Sequence, residues 1–578
     1  MGAALHEVKG VAQSGRGLRA AVLTAVLAGL LLPIAAGLWQ TGRAAFGHLP
    51  VIGATAAGLD PWRQLLDLPG LGGAIWLSLF SGLAASGLSL ALAVGFCAAV
   101  HGRMTPGRGA RMLTPFLAAP HAAIAIGLAF VLSPSGWIAR ALALPFGWDR
   151  PPDLASVNDP WGLALILGLM VKEVPFLLLV ILAALTQIPV RAQVAAGRSL
   201  GYGRGLVWLK VIMPQVWPLI RLPVLVVLAY SLSVVDMALI LGPSNPPTLA
   251  VLLTRLFSDP DLGRILPASA GGLVQLGLVL VAFALLWLAE RAAAGLGLVW
   301  LRRGGRGSSA EPLLRLATGL TLGLFAAGAL AMLSLVLWSL AWRWSWPMIL
   351  PESWSLQAWA TSASGWTGAL QTTLALALAS TALSLMLAIA WLEGEDRAQL
   401  PRARWAEALI YLPLLIPQVS FLFGMNVLLL RLGLRPGFWT VVWAQALFVF
   451  PYVMIALSDP WRARDRRLER TAAALGAGPW RRLLRVKLPV LLAPTCTAAA
   501  IGIAVSVAQY LPTLFMGAGR VASLTTEAVT LSSSSDRRVT GVLASLQAAV
   551  PFIAYALAFL IPAVLHRNRR DLRGESPA

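Results

Sequence analysis

The chain has 578 residues, of which 58% are hydrophobic and only 12% charged, with a formal net charge of +21. Soluble domains carry roughly a quarter charged residues, so this composition excludes an ordinary water-soluble fold and points to lipid as the solvent. The positive charge alone would suit nucleic acid, but it is spread between apolar runs, which argues against that partner.

A spanning helix needs about 20 mostly apolar residues. Such runs recur and predict twelve spans, beginning near residues 20, 74, 112, 160, 216, 266, 315, 369, 407, 437, 490 and 541. The first run, Ala20–Trp39, exceeds a signal-peptide core and no small-residue cleavage site follows it, so it reads as a span. A loop over 40–72 follows, with a DPW turn at Asp60–Trp62. The second span carries Leu88-Ser89-Leu90, which returns later as Leu383-Ser384-Leu385. The third opens with Pro120-His121 and reaches Gly127; Pro417-Gln418 and Gly424 repeat that spacing. A long loop is expected over Ser133–Pro160, and the Pro175-Phe176 pair of the fourth span is echoed by Pro451-Tyr452. These echoes predict an all-α integral membrane protein of about twelve transmembrane helices arranged as two repeated six-helix halves. The halves would be 1–300 and 315–578, joined by a linker over 301–314 whose core, RRGGRGSSAE at Arg302–Glu311, is of the flexible Gly/Ser type.

Most of the 45 Lys and Arg fall in the segments 1–19, 101–111, 187–215, 290–315, 392–405, 459–488 and 566–578. By the positive-inside rule those segments, the linker and both termini face the cytoplasm.

Two of these basic segments resemble each other. One is Ala195–Pro214, AAGRSLGYGRGLVWLKVIMP; the other is Glu469–Pro489, ERTAAALGAGPWRRLLRVKLP. Val211, Met213 and Pro214 follow Gly201 at the offsets at which Val486, Leu488 and Pro489 follow Gly476. Ala195, Ala196, Gly197 and Gly201, like Ala472, Ala473, Ala474 and Gly476, form a small face, and each last glycine suits the left-handed turn that ends a helix. Trp480, Leu483, Leu484 and Val486 make an apolar stripe beside Arg481, Arg482 and Arg485, suiting a helix at the membrane surface. Pro214 and Pro489 fit the first turn of the next span. Either loop alone reads equally as an interfacial connector. Two copies at matched places favour an element that does the same thing twice.

The pair resembles the EAA motif of permease subunits of ATP-binding-cassette importers, whose core reads E-A-A, three residues, G, nine residues, I, one residue, L-P. The chain is most similar to the fused, two-half permeases of the iron(III)/thiamine/polyamine-related group, and Thr525–Arg538 adds to the likeness. The resemblance implies a type I importer permease in the bacterial inner membrane. It implies two copies of a cytoplasmic ATP-binding subunit docked on the two loops, and a periplasmic or extracytoplasmic substrate-binding protein. Coupling would fall to Ala195, Ala196, Gly201 and Pro214 in the first loop, and to Glu469, Arg470, Ala472, Gly476 and Pro489 in the second. The motif's glutamate position holds Ala195 in one copy and Arg470 in the other, with Glu469 beside it.

A P-loop needs a lysine directly after glycine. Lys9, Lys172, Lys210 and Lys487 follow Val8, Val171, Leu209 and Val486, so the chain is expected to bind no cofactor and to leave ATP and Mg to a partner subunit. Within spans, Lys172, Glu173, Asp236 and Gln509 are candidates for the translocation path, or for polar contacts between helices. Lys172 and Glu173 are neighbours on one helix and need separate partners. His6, His48, His101, His121 and His566 show no metal-ligand spacing, and Cys97 and Cys496 read as small hydrophobes within spans. The expected function is therefore an importer permease; the alternative is a twelve-span ion-coupled secondary transporter. A membrane-embedded enzyme would need a clustered acid, base, metal or nucleophile set that the sequence lacks.

Overall fold

The computed structural model describes residues 16–101, 113–399, 404–533 and 536–567; His6, Lys9, the 102–111 stretch of the expected inner loop and the tail after Arg567 lie outside them. The described chain is almost wholly helical. Its spans include α1 (Arg16–Ala45), α2 (Leu71–Val100), α3 (His121–Leu132) with α4 (Trp137–Phe146), and α5 (Leu163–Leu185). After the short helix α6 (Val190–Ser199) come α7 (Arg204–Ser233), α8 (Asp236–Leu241) and α9 (Ile265–Arg302). The second set holds α10 (Glu311–Leu340), α11 (Ala363–Ala398), α12 (Gln418–Arg431) and α13 (Phe438–Ala463). It continues through α14 (Arg467–Ala474), α15 (Pro479–Val490), α16 (Leu492–Val507) and α17 (Leu511–Gly517) to α18 (Arg537–Leu565).

Ten helices among the described residues are long and apolar enough to cross a membrane, against the twelve spans expected. Breaks within two of the runs account for the difference. At the ninth position Pro413 and Pro417 divide the run into Arg404–Ile410, Leu412–Leu415 and α12, and a 14-residue helix is only about 21 Å long. At the eleventh, α15 and α16 meet at 79°. Such broken helices are tolerated at membrane depth where protein covers their free backbone groups. The loop expected over Ser133–Pro160 also carries helix α4, which continues the third span after a bend at Ser133–Gly136. A two-stranded hairpin, Ala341–Arg343 with Ser353–Trp354, is the only sheet among the described residues.

The two sets of helices are cross-braced. Helix α1 packs along α12, and α10 packs along α3, so the first helix of each set lies against a broken span of the other. Both crossings bring backbones together at glycine. A Cβ on Gly424 would stand 2.0 Å from the Gly37 carbonyl oxygen, and one on Gly127 would stand 2.3 Å from that of Ala331. The Ser334 hydroxyl donates to the Gly127 carbonyl at 3.0 Å, and the Trp443 indole N–H donates to the Gly29 carbonyl at 2.8 Å. Pro120 and Pro417 stand in extended conformation directly before α3 and α12, so the repeated Pro-x6-Gly spacing is a break followed by a crossing point.

Gly424→Ala is expected to destabilise the protein by about 1–3 kcal/mol, because the methyl has no space to enter. Gly277→Ala, which meets nothing within 4 Å, should be neutral. Thermal unfolding of both variants in detergent checks this; equal midpoints would show that the crossing is not tightly packed.

Candidate coupling loops and translocation path

The two loops fold alike from end to end. Helices α6 and α14 both end in a Schellman turn. Gly201 N–H donates to the Arg198 carbonyl and Tyr202 N–H to that of Gly197; Gly476 N–H donates to Ala473 and Ala477 N–H to Ala472, all at 3.0 Å. The left-handed position falls on Gly201 at φ +82° and on Gly476 at φ +78°, where a side chain would be strained. Each loop then turns into a short helix followed by a five-residue π turn, Trp208–Ile212 and Leu483–Lys487, at identical offsets from its glycine. Pro214 and Pro489 both stand in the first α-helical turn after the π turn. Pro214 opens a long span, but Pro489 opens only Leu488–Val490 before the bend into α16.

Ala195, Ala196 and Gly201 in the first loop, and Arg470 and Gly476 in the second, are exposed; Ala472 is half-buried. The residue before each glycine is an exposed leucine, Leu200 at 59% and Leu475 at 82%. Sequence reasoning passed over this pair. Of the expected apolar stripe, Leu483 is buried while Trp480 and Leu484 stay exposed.

The anchoring differs between copies. In the second loop Lys487, 2% exposed, reaches Glu393 at 2.6 Å, Glu469 at 3.0 Å and Asp396 at 3.2 Å. Arg464 pairs with Asp396 and, at 3.2 Å, with Glu469, while Arg397 holds Glu393 at 2.7 Å. The Trp461 indole donates to Asp396 at 2.8 Å. Glu469, expected to act on a docked partner, thus turns its carboxylate inward and ties α14 to the end of α11. The acidic run Glu393–Asp396, with Arg464 and Lys487, was the missed part of this site. Its visible trace was a cluster of charge at the end of the eighth span.

The first loop has no acidic residue, and the linker takes the anchoring place. Gly203 N–H donates to the Gly307 carbonyl at 2.7 Å, and Gly307 N–H donates to that of Gly201 at 3.2 Å. Lys210 donates to the Gly305 carbonyl at 2.9 Å, and Gly205 N–H to the Glu311 carboxylate at 3.3 Å. Arg204 donates to the carbonyls of Ala98 and His101 at the end of α2. The expectation of a flexible tether over Arg302–Glu311 is therefore corrected. Glycines without Cβ expose their peptide groups, and those groups find partners in the loop.

Deeper in the bundle, Lys172, Glu173 and Asp236 are all buried. Lys172 donates to the carbonyls of Ala119 at 2.6 Å and Phe116 at 2.9 Å, closing the turn before Pro120. Glu173 faces the His121 imidazole at 3.9 Å, and that ring leans on Tyr230 at 4.7 Å. The neighbours do have separate partners. Asp236 begins α8, just past the break that ends α7, and Gln509 lies in the corresponding break between α16 and α17. Beside Gln509, Ser506 donates to Gln445 at 2.5 Å and Gln445 donates to Thr513 at 3.1 Å, a polar knot that pattern reading did not find. Cys97 and Cys496 are free thiols.

Lys487→Met is expected to cost about 3–5 kcal/mol, because three carboxylates lose a buried cation. Adding Glu393→Gln should recover part of that loss by removing one uncompensated charge. Thermal midpoints of the single and double variants in detergent check this, and a wild-type midpoint for the single variant would refute the anchoring role.

Comparison with known proteins shows the family of the chain. Residues 400–567 match the family model described as binding-protein-dependent transport system inner membrane component. The inner membrane ABC transporter permease protein YnjC of Escherichia coli K12 is 33% identical over 529 residues, covering 90% of this chain and 93% of the relative. The molybdenum transport system permease protein ModB of Azotobacter vinelandii is 30% identical over 164 residues, 26% of this chain and 72% of the relative. The reading as an ion-driven secondary transporter gives way to these similarities. With its long apolar helices and a relative matched across nine-tenths of its length, the chain belongs to the multi-pass inner-membrane permeases of binding-protein-dependent ABC transporters.

Proposed function

We propose that both halves of the translocation unit lie in this one polypeptide, 1–300 and 315–578, and that the loops 195–214 and 470–489 are EAA-type coupling elements. Each receives one copy of a cytoplasmic ATP-binding subunit, which supplies all use of ATP and Mg. The termini, the linker and both loops face the cytoplasm, and a binding protein delivers substrate from the opposite side.

The observation that carries this reading is the matched architecture of the loops: helix, Schellman glycine, short helix, π turn and proline, with an exposed leucine before each glycine. A connector has no reason to repeat five features in register. ATP binding closes the two motor subunits, the loops move with them, and the cross-braced helix sets reorient about a central path. Glu173, in the middle of α5, lines that path with His121, Asp236 and Gln509, which stand at breaks in their spans, whereas Lys172 serves the structure. The iron(III)/thiamine/polyamine-related group remains our assignment on loop resemblance; the partial relative ModB is named for molybdenum, so substrate identity is a question for the binding protein.

The purified chain alone is expected to show no ATP hydrolysis, and hydrolysis should appear only with its ATP-binding subunit. Gly476→Asp, which places bulk and charge on an exposed docking turn, should lower uptake in membrane vesicles at least tenfold at equal expression, since an unpaired buried charge costs several kcal/mol. Specific hydrolysis by the chain alone, or full uptake by the variant, would overturn the coupling model.

A further inference from the structure

We infer that the linker is a built part of the first coupling loop, and that loop and linker together present one basic face to an acidic surface of the ATP-binding subunit. This inference rests on the coupling reading above and adds the linker's role and the chemistry of the docked partner.

The linker clasps the loop at its left-handed glycine and over the residues that follow it. Residues Gly201, Gly203 and Gly307 share two main-chain hydrogen bonds, at 3.2 and 2.7 Å, in a parallel bridge at Tyr202 and Gly307. The approach is close enough that a Cβ on Gly203 would stand 2.4 Å from the Gly307 carbonyl oxygen. Above that bridge the Lys210 ammonium donates to Gly305 at 2.9 Å and lies 4.5 Å from the Trp300 ring and 5.4 Å from that of Tyr202. Arg306 of the linker lies 5.6 Å from the same Tyr202 ring. The second loop is held instead by Lys487 and its carboxylates, with Arg397 4.7 Å from the Trp480 ring. The linker therefore does for the first loop what the ion cluster does for the second, holding a docking turn in a fixed pose before a partner arrives.

Charge then selects the partner surface. Residues 187–215 contain no Asp or Glu, and the only acid in the linker, Glu311, already accepts from Gly205 N–H. Arg191 and Arg198 of the loop and Arg302, Arg303 and Arg306 of the linker are all exposed, and Arg306 reaches Gly201, where a Cβ would stand 4.0 Å from its side chain. A face of one sign steers and registers a surface of the other.

The test uses the complex purified through a tag on this chain together with its ATP-binding subunit, with a benzophenone residue in place of Leu200 or Leu475. Gly307→Pro removes the N–H that Gly201 receives and forbids the φ of +104° found there. The adduct with the ATP-binding subunit should fall roughly fivefold or more at position 200, the effect of losing one main-chain hydrogen bond, and stay unchanged at position 475. The triple charge reversal R302E/R303E/R306E leaves the bridge glycines in place and should give the same one-sided fall, in zwitterionic as well as anionic nanodiscs. Equal yields with and without the substitutions, or equal falls at both positions, would overturn the inference. So would a fall confined to anionic nanodiscs, which would assign the arginines to lipid headgroups. Absence of any adduct at both positions in the unaltered complex would refute the coupling reading itself.

Discussion

Lipid removes the force that assembles soluble proteins. Apolar side chains gain nothing by leaving hydrocarbon for one another, so helices in a membrane associate through close packing and polar contact. In this protein the constraint is met at two crossings, Gly37 against Gly424 and Ala331 against Gly127, where one backbone lies on another without a side chain between. Each crossing joins the first helix of one set to a proline-broken span of the other. The two sets are thereby interlocked by close backbone packing.

Those broken spans are also where backbone polarity becomes available. Pro120 and Pro417 free carbonyls and turn the chain, and Lys172 consumes the carbonyls at the first of these breaks. The breaks after α7 and α16 hold Asp236 and Gln509 at matching places in the helix order. A continuous helix satisfies its own backbone and has little to offer a solute; an interrupted one brings polar groups to membrane depth, provided protein covers them.

At the loop-bearing end, two equivalent turns are held by unlike means. The second relies on a buried network of cations and carboxylates, strong only while every member is present. The first relies chiefly on main-chain groups of the linker, with Lys210 and Glu311 each bonded to a peptide group rather than to each other, and it needs the two sets to be covalently joined. A chain in which both sets are fused can recruit its own connection as a structural part.

The twelve apolar runs, their two-fold echo and the paired loops were legible in the sequence because they depend on local quantities: hydropathy over about 20 residues, the spacing of Gly and Pro, and the density of basic residues. The left-handed glycines at 201 and 476 followed from helix-end chemistry that any chain must obey. What remained hidden depended on contacts between residues far apart. Pro413 and Pro417 were visible, but whether they bend a span or end it is decided by the helices that cover the gap. Glu469 read as an outward contact because spacing places a residue on a helix without saying which way its charge is drawn; Lys487 and Arg464 draw it inward. The linker read as flexible because Gly and Ser permit every conformation, and only the glycine-lined edge of the first loop selects one.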